Sequence, residues 1–311
     1  MAIKLVMDSS LFEALKQNND QKLRKMAMSK TEREKIKVEM EIDPHLSWQE
    51  KLAVEEQEKL SPRLVYEIIR RDGIEELSRP TSTLVFSGIT AGLVMSFSFV
   101  FKAVIASYLP IDAVWKDLIT NIGYTIGFLI AILGHLQLFT ENTITTVIPL
   151  FKPFSLDKLK AVGRLWSIVI VTNIFGTALS SLFFLTTDLF NPEVDHALNE
   201  IAHHVASFTA WENFLKGVLS GLLIAALVWM LPSVNNKILL IFLITYLIGL
   251  GDFTHVVVGS VEVAYLVWQG QASLSEYFFQ FLLPTTLGNI IGGTGIFTLL
   301  IYGQVNEELE E

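Results

Sequence analysis

Leu138-Phe139-Thr140-Glu141-Asn142 lies inside an apolar stretch over 118–150, and Gly251-Asp252-Phe253-Thr254-His255 lies inside a second over 237–268. Both stretches exceed the roughly 20 apolar residues that cross a bilayer as one helix, and polar or turn-forming residues cut each of them. Two broken membrane helices are the reading. A break leaves N–H and C=O groups without helical partners, and these must face protein or a polar path because hydrocarbon cannot satisfy them. Thr140 and Thr254 stand where each would cap the half-helix that follows, whose N-terminal end carries partial positive charge.

Outward from the breaks, the same ruler marks four further spans at 84–109, 162–187, 211–231 and 277–302, making six in all. The breaks share a Phe-Thr pair, and an Asn-x-x-Gly step follows each. Asn173 comes 173 − 140 = 33 residues after Thr140, and Asn289 comes 289 − 254 = 35 after Thr254. Three helices repeated once give a second copy of opposite topology, the arrangement in which broken helices meet near the bilayer midplane around a substrate path. The expected fold is an all-α membrane protein with six transmembrane helices in two inverted three-helix repeats, the second and fifth helices broken. Gly176, Gly288, Gly292, Gly293 and Gly295 are read as sites of close helix contact.

Composition agrees. Hydrophobic residues make up 51% of the chain and charged residues only 18%, against about a quarter charged in soluble domains. Of 23 Lys and Arg, 15 fall in residues 1–80, leaving the rest charge-poor. The net charge of −9 and the placement of the basic residues give nucleic-acid binding no support. Without cysteine there are no disulfides, thiolate metal sites or thiol nucleophiles. No metal or cofactor is expected, and an enzyme is the least favoured class because no nucleotide loop is visible.

Basic residues in short loops set orientation. Lys152, Lys158, Lys160 and Arg164 lie between spans two and three, whereas 188–210 and 269–276 contain no Lys or Arg. Both termini are expected in the cytoplasm, and 188–210 outside. Residues 1–60 read as a charged cytoplasmic extension and 81–303 as the transmembrane domain. Residues 304–311 read as an acidic cytoplasmic tail. Over 61–80, Ser61-Pro62 starts a helix and Gly73 stops it, with Leu64, Val65, Ile68 and Ile69 on one stripe. That helix either lies on the inner membrane surface or packs under the bundle.

The motif around Leu138-Phe139-Thr140, His255, and Gly288-Asn289-Ile290-Ile291-Gly292-Gly293 resembles the formate/nitrite transporter family over roughly residues 62–302. The resemblance is to a divergent inner-membrane branch with longer N-termini. It implies an aquaporin-like protomer, a homopentamer with one pore per subunit, and passage of small monovalent anions. It also implies that Thr140 and His255 face one another between apolar constrictions. Leu138 and Phe139 match the constriction by motif, whereas Tyr124, Phe128 and Ile248 follow by spacing. Three positions depart from the family's pattern: Val205 stands where a vestibule lysine is common, and Gly221 and Gly259 stand where asparagines are.

Among the site candidates, His255 is read as the group that donates a hydrogen bond or a proton to a passing anion. Thr140 would orient it. Asn289 and Asn173 either line the pore or bind backbone exposed at the breaks, backbone support being preferred. Lys102, His203 and His204 are candidates to replace the vestibule lysine. Glu141, Asp252 and Glu262 are unusual beside an anion path, and His135 is expected to bond inside the bundle. The alternatives are a path for a neutral small solute and a non-conducting membrane scaffold.

Overall fold

The computed structural model describes residues 60–151 and 153–307. The extension over 1–59, Lys152 and the tail residues 308–311 lie outside the described residues. Helix α1 spans Pro62–Ser78, α2 Thr81–Ser107, α3 Lys116–Leu133, α4 Phe139–Thr145, α5 Ile148–Phe151 and α6 Leu156–Thr186. The second half holds α7 Pro192–Ala206, α8 Ala210–Met230, α9 Lys237–Leu250 and α10 Val256–Trp268. Its last helix, α11, runs over Glu276–Val305 with π-helical stretches at Glu276–Leu282 and Ile291–Thr298. No strand occurs among the described residues.

Five helices are long and apolar enough to cross a membrane, and the shorter pair α9 and α10 forms the broken fifth span. The second span is likewise divided into α3 and α4. Within the bundle α2 packs on α3 and α6, α8 on α11, α9 on α3, and α10 on α6. The central core runs through both breaks, joining Phe128, Ile132, Leu138 and Phe139 to Ile248 and Val256 to Val258. The six-span, all-α architecture expected from the sequence is the one observed.

Two local expectations are corrected. Ser61 does cap α1, its hydroxyl accepting from Leu64 N at 3.3 Å, but the helix runs through Gly73 to Ser78. Gly73 is there for close approach, since a Cβ at this position would lie 2.0 Å from the carbonyl oxygen of Thr145. The buried side of α1, with Val65, Tyr66 and Ile69, packs on Ile144, Ile148 and Val305. Both ends of the described chain therefore meet at one end of the bundle. The loop 188–210 contains a full helix, α7, which starts at an Asn191 cap with Pro192 in its first turn.

Candidate functional site: the two helix breaks

The breaks are held from a distance. Asn173 on α6 accepts the Phe139 N–H on Oδ1 at 3.0 Å, while its Nδ2 donates to Gln137 O at 2.8 Å and Gly88 O at 2.9 Å. Asn289 on α11 accepts the Val256 N–H at 3.0 Å and donates to Thr254 O at 3.1 Å and Gly217 O at 2.9 Å. Each carboxamide satisfies the first N–H of a half-helix and the carbonyl two residues before it. That is the need created when a helix ends inside a membrane.

This geometry corrects the register of the repeat. Leu138 is the N-cap residue of α4 and His255 that of α10, so Leu138 corresponds to His255 and Phe139 to Val256. The recurring Phe-Thr pair is out of step by three residues and is not a structural equivalence. Neither threonine is the cap expected of it. Thr140 lies inside α4, and the Thr254 hydroxyl donates to Asn213 O at 2.9 Å. In both breaks a distant asparagine takes the first N–H, and on α10 the side chain of the N-cap residue His255 takes the Val258 N–H.

Thr140 Oγ1 and His255 Nε2 are 2.7 Å apart, both side chains fully buried. His255 Nδ1 accepts from Val258 N at 3.4 Å, so the ring proton belongs on Nε2, where it is directed at Thr140. The Phe128 ring meets the His255 ring edge-on at 4.9 Å, and Tyr124 follows Phe128 at 5.5 Å. Phe128, Leu138, Thr140 and His255 are all buried, and two cavities border this cluster, one at Leu138 and one at His255. One, of about 550 Å³, lies beside α1 and is bounded by Leu138. The other, of about 30 Å³, lies toward α7 and is bounded by His255, Tyr124 and Ile248. Phe139 borders neither cavity and packs instead on Trp166, with ring centroids 5.7 Å apart.

Charged residues divide between the two sides. The larger cavity is acidic, with Asp72, Glu75, Glu76 and Glu141 against Arg79, His135 and Lys237. His135, expected to bond inside the bundle, is instead exposed on this cavity with a left-handed backbone at φ 51°. Gln137 Nε2 donates to Glu76 at 2.5 Å, tying α1 to the first break, and burial raises the Glu76 pKa above its usual value. On the other side Lys102, Asp252 and Glu262 line the small cavity. His204 Nε2 bonds the Asp252 carboxylate at 3.1 Å, and that hydrogen bond raises the His204 pKa. Thus Lys102 and His204 come together near His255. His203 does not, since it bonds Gln271 at 2.6 Å beside a separate cavity of about 230 Å³.

Sequence reading missed Lys216, whose Nζ reaches the Asp252 carbonyl at 3.3 Å and lies 4.3 Å from the centre of the Phe208 ring. Its signal was a lone basic residue inside the apolar span 211–231. Two departures from the family pattern now have steric accounts. A Cβ on Gly221 would lie 2.2 Å from Asn289 O, and one on Gly259 would lie 2.4 Å from the Phe281 ring.

Six spans, two inverted breaks and a buried polar pair between them define a membrane protein of the broken-helix class that builds channels and carriers. The sequence profile of the formate/nitrite transporter family matches residues 63–303. The chain belongs to that family. It is 41% identical over 246 residues to inner membrane protein YfdC of Escherichia coli K12, covering 79% of each chain. The formate channel FocA of Haemophilus influenzae is 24% identical, over 67% of this chain and 81% of its own. Among solved structures, a pentameric formate channel with formate bound matches with a TM-score of 0.64 at 20% identity, covering 73% of this chain and 98% of its own. An FNT family ion channel matches with a TM-score of 0.66 at 18% identity, covering 77% and 98%.

Proposed function

We propose that this chain forms a channel or proton-linked carrier for small monovalent anions of the formate/nitrite class. It works as a homopentamer with one path per subunit, in the inner membrane with both termini cytoplasmic. The formate-bound pentamer among its structural neighbours and the inner-membrane relative support this reading, and the Thr140–His255 contact between two cavities carries it. An anion reaching this cluster replaces Thr140 as the acceptor of the His255 Nε2–H bond. In such a dry site a hydrogen bond to a charged acceptor is stronger than in water. Thr140 holds the ring in position between passages, while Phe128 and Leu138 keep water from bridging the cluster.

His255→Phe in proteoliposomes, followed by stopped-flow uptake of formate, nitrite, bicarbonate, acetate and urea at two pH values, tests this. Formate and nitrite flux should fall at least tenfold and lose their pH dependence. Flux unchanged in both respects removes His255 from the path. Urea carried in preference to every anion assigns the path to neutral solutes.

A further inference from the structure

Two ladders of side chains climb the walls of the small cavity, away from the Thr140–His255 contact. On α10, His255, Gly259 and Glu262 follow one face at spacings of four and three residues. Glu262 therefore stands two helical turns, about 10 Å, beyond His255. A second line runs from the Phe128 ring against His255 to Tyr124, which borders the cavity, and on to Lys102, whose Nζ lies 5.9 Å from the Tyr124 ring centre. Both ladders end in a charge at the same mouth.

Glu262 is only 4% exposed and lines the cavity. Among the described residues its carboxylate has no hydrogen-bonding partner, and neither it nor Lys102 has an oppositely charged group within 4.0 Å. Asp252, the third charge on this cavity, is differently placed. His204 bonds its carboxylate and Lys216 its carbonyl oxygen. Of the charged side chains that line the cavity, Lys102 is the one base, set against the carboxyl groups of Asp252 and Glu262.

We propose that Glu262 is the residue that sets charge selectivity at this mouth. In its ionised form its carboxylate opposes the field of Lys102 along the approach to His255, so anions gain less attraction there than Lys102 alone would give. The inference rests on the reading of this path as a conducting one. Removing the ionised carboxylate takes away one negative charge about 10 Å from His255. At an effective dielectric constant of about 20 that raises local anion occupancy roughly tenfold. Removing Lys102 has the opposite effect.

Purified wild type, Glu262→Gln, Lys102→Gln and the double variant, each reconstituted at matched density, are compared for uptake of subsaturating formate and of formamide, its neutral analogue. Glu262→Gln should raise formate uptake roughly tenfold and Lys102→Gln should lower it by a similar factor, with the double variant near wild type and formamide within about twofold throughout. Because Lys102→Gln reads the same pair from the other side, the inference stays testable if Glu262→Gln fails to assemble. It is overturned if wild type carries formate and neither single variant changes the formate-to-formamide ratio, an outcome that leaves the proposed function standing. It is also overturned if the double variant keeps the full gain of Glu262→Gln. Formate uptake that appears only in Glu262→Gln supports the inference while removing the anion assignment of the native protein. Absence of both solutes from all four proteins overturns both readings.

Discussion

Asn173 and Asn289 make the same three hydrogen bonds in the two halves of the chain, one accepted from the first N–H of a half-helix and two donated to carbonyls. Truncation to alanine leaves two buried backbone groups without partners at either site, the first N–H of the half-helix and the carbonyl two residues before it, each costing about 1–3 kcal/mol, whereas Gly88 O and Gly217 O keep their helical partners inside α2 and α8. Asn173→Ala and Asn289→Ala should therefore each destabilise the protein by roughly 2 kcal/mol or more, and by comparable amounts. Thermal unfolding in detergent checks this. A variant that melts with wild type would show that its break is held by something else.

What could be read from the sequence divides along the range of the interaction. The six spans and the two breaks were legible because hydrophobic run length is a local property and a bilayer enforces it. Thr140 and His255 were singled out by motif, and their side chains touch across 115 positions of sequence. The register of the repeat is hidden because the Phe-Thr pair is conspicuous, whereas the equivalence of Phe139 with Val256 exists only through asparagines 34 and 33 residues away. Gly73 resembled a helix stop because only the folded chain brings the Thr145 carbonyl against it. The Asn191-Pro192 start of α7 went unread, because 188–210 entered the sequence reading only as a connection without Lys or Arg.

Thr140→Val keeps the shape of the side chain and removes its hydroxyl, so His255 Nε2 loses its partner inside a fully buried cluster. If Thr140 orients the ring for an arriving anion, formate uptake should fall about tenfold, equivalent to roughly 1.4 kcal/mol. The oligomer should remain intact by size-exclusion chromatography. Thr140→Ser keeps the hydroxyl and should recover most of the flux. Flux retained in the valine variant but lost in the serine variant would mean that packing of the Thr140 methyl group, and not its hydroxyl, is what matters.

Gly221 and Gly163 give a matched pair for testing the close approach of α8 to α11. A Cβ on Gly221 would meet the Asn289 backbone at 2.2 to 2.8 Å, with no flexible side-chain end to move aside, whereas one on Gly163 meets nothing within 4 Å. Gly221→Ala should disturb the second break and cost several kcal/mol, in the range of severe overpacking. Gly163→Ala lies within the helix α6 and should be neutral or stabilising by about 0.5–1 kcal/mol. Melting temperatures of the two variants in one detergent decide the matter. Equal tolerance would require α8 to separate from α11 without loss of the fold.

The His204–Asp252 hydrogen bond at 3.1 Å joins the end of α7 to the break segment three residues before His255. That bond is the leading cause raising the His204 pKa above its usual 6.5, with the Asp252 charge adding to it and burial and Lys102 opposing; Glu262 adds a smaller rise. A pKa raised on folding means that the linkage stabilises fully below the unfolded value and is lost as pH rises through the folded one. The stabilising contribution should thus be complete below pH 6.5 and fade above it. His204→Gln keeps a hydrogen-bond donor but cannot titrate. The gap between wild-type and His204→Gln melting temperatures should be widest below about pH 6.5 and close as His204 deprotonates. A gap that is constant across the titration would show that His204 contributes through packing on Phe208, whose ring centre lies 5.0 Å away, and not through its charge.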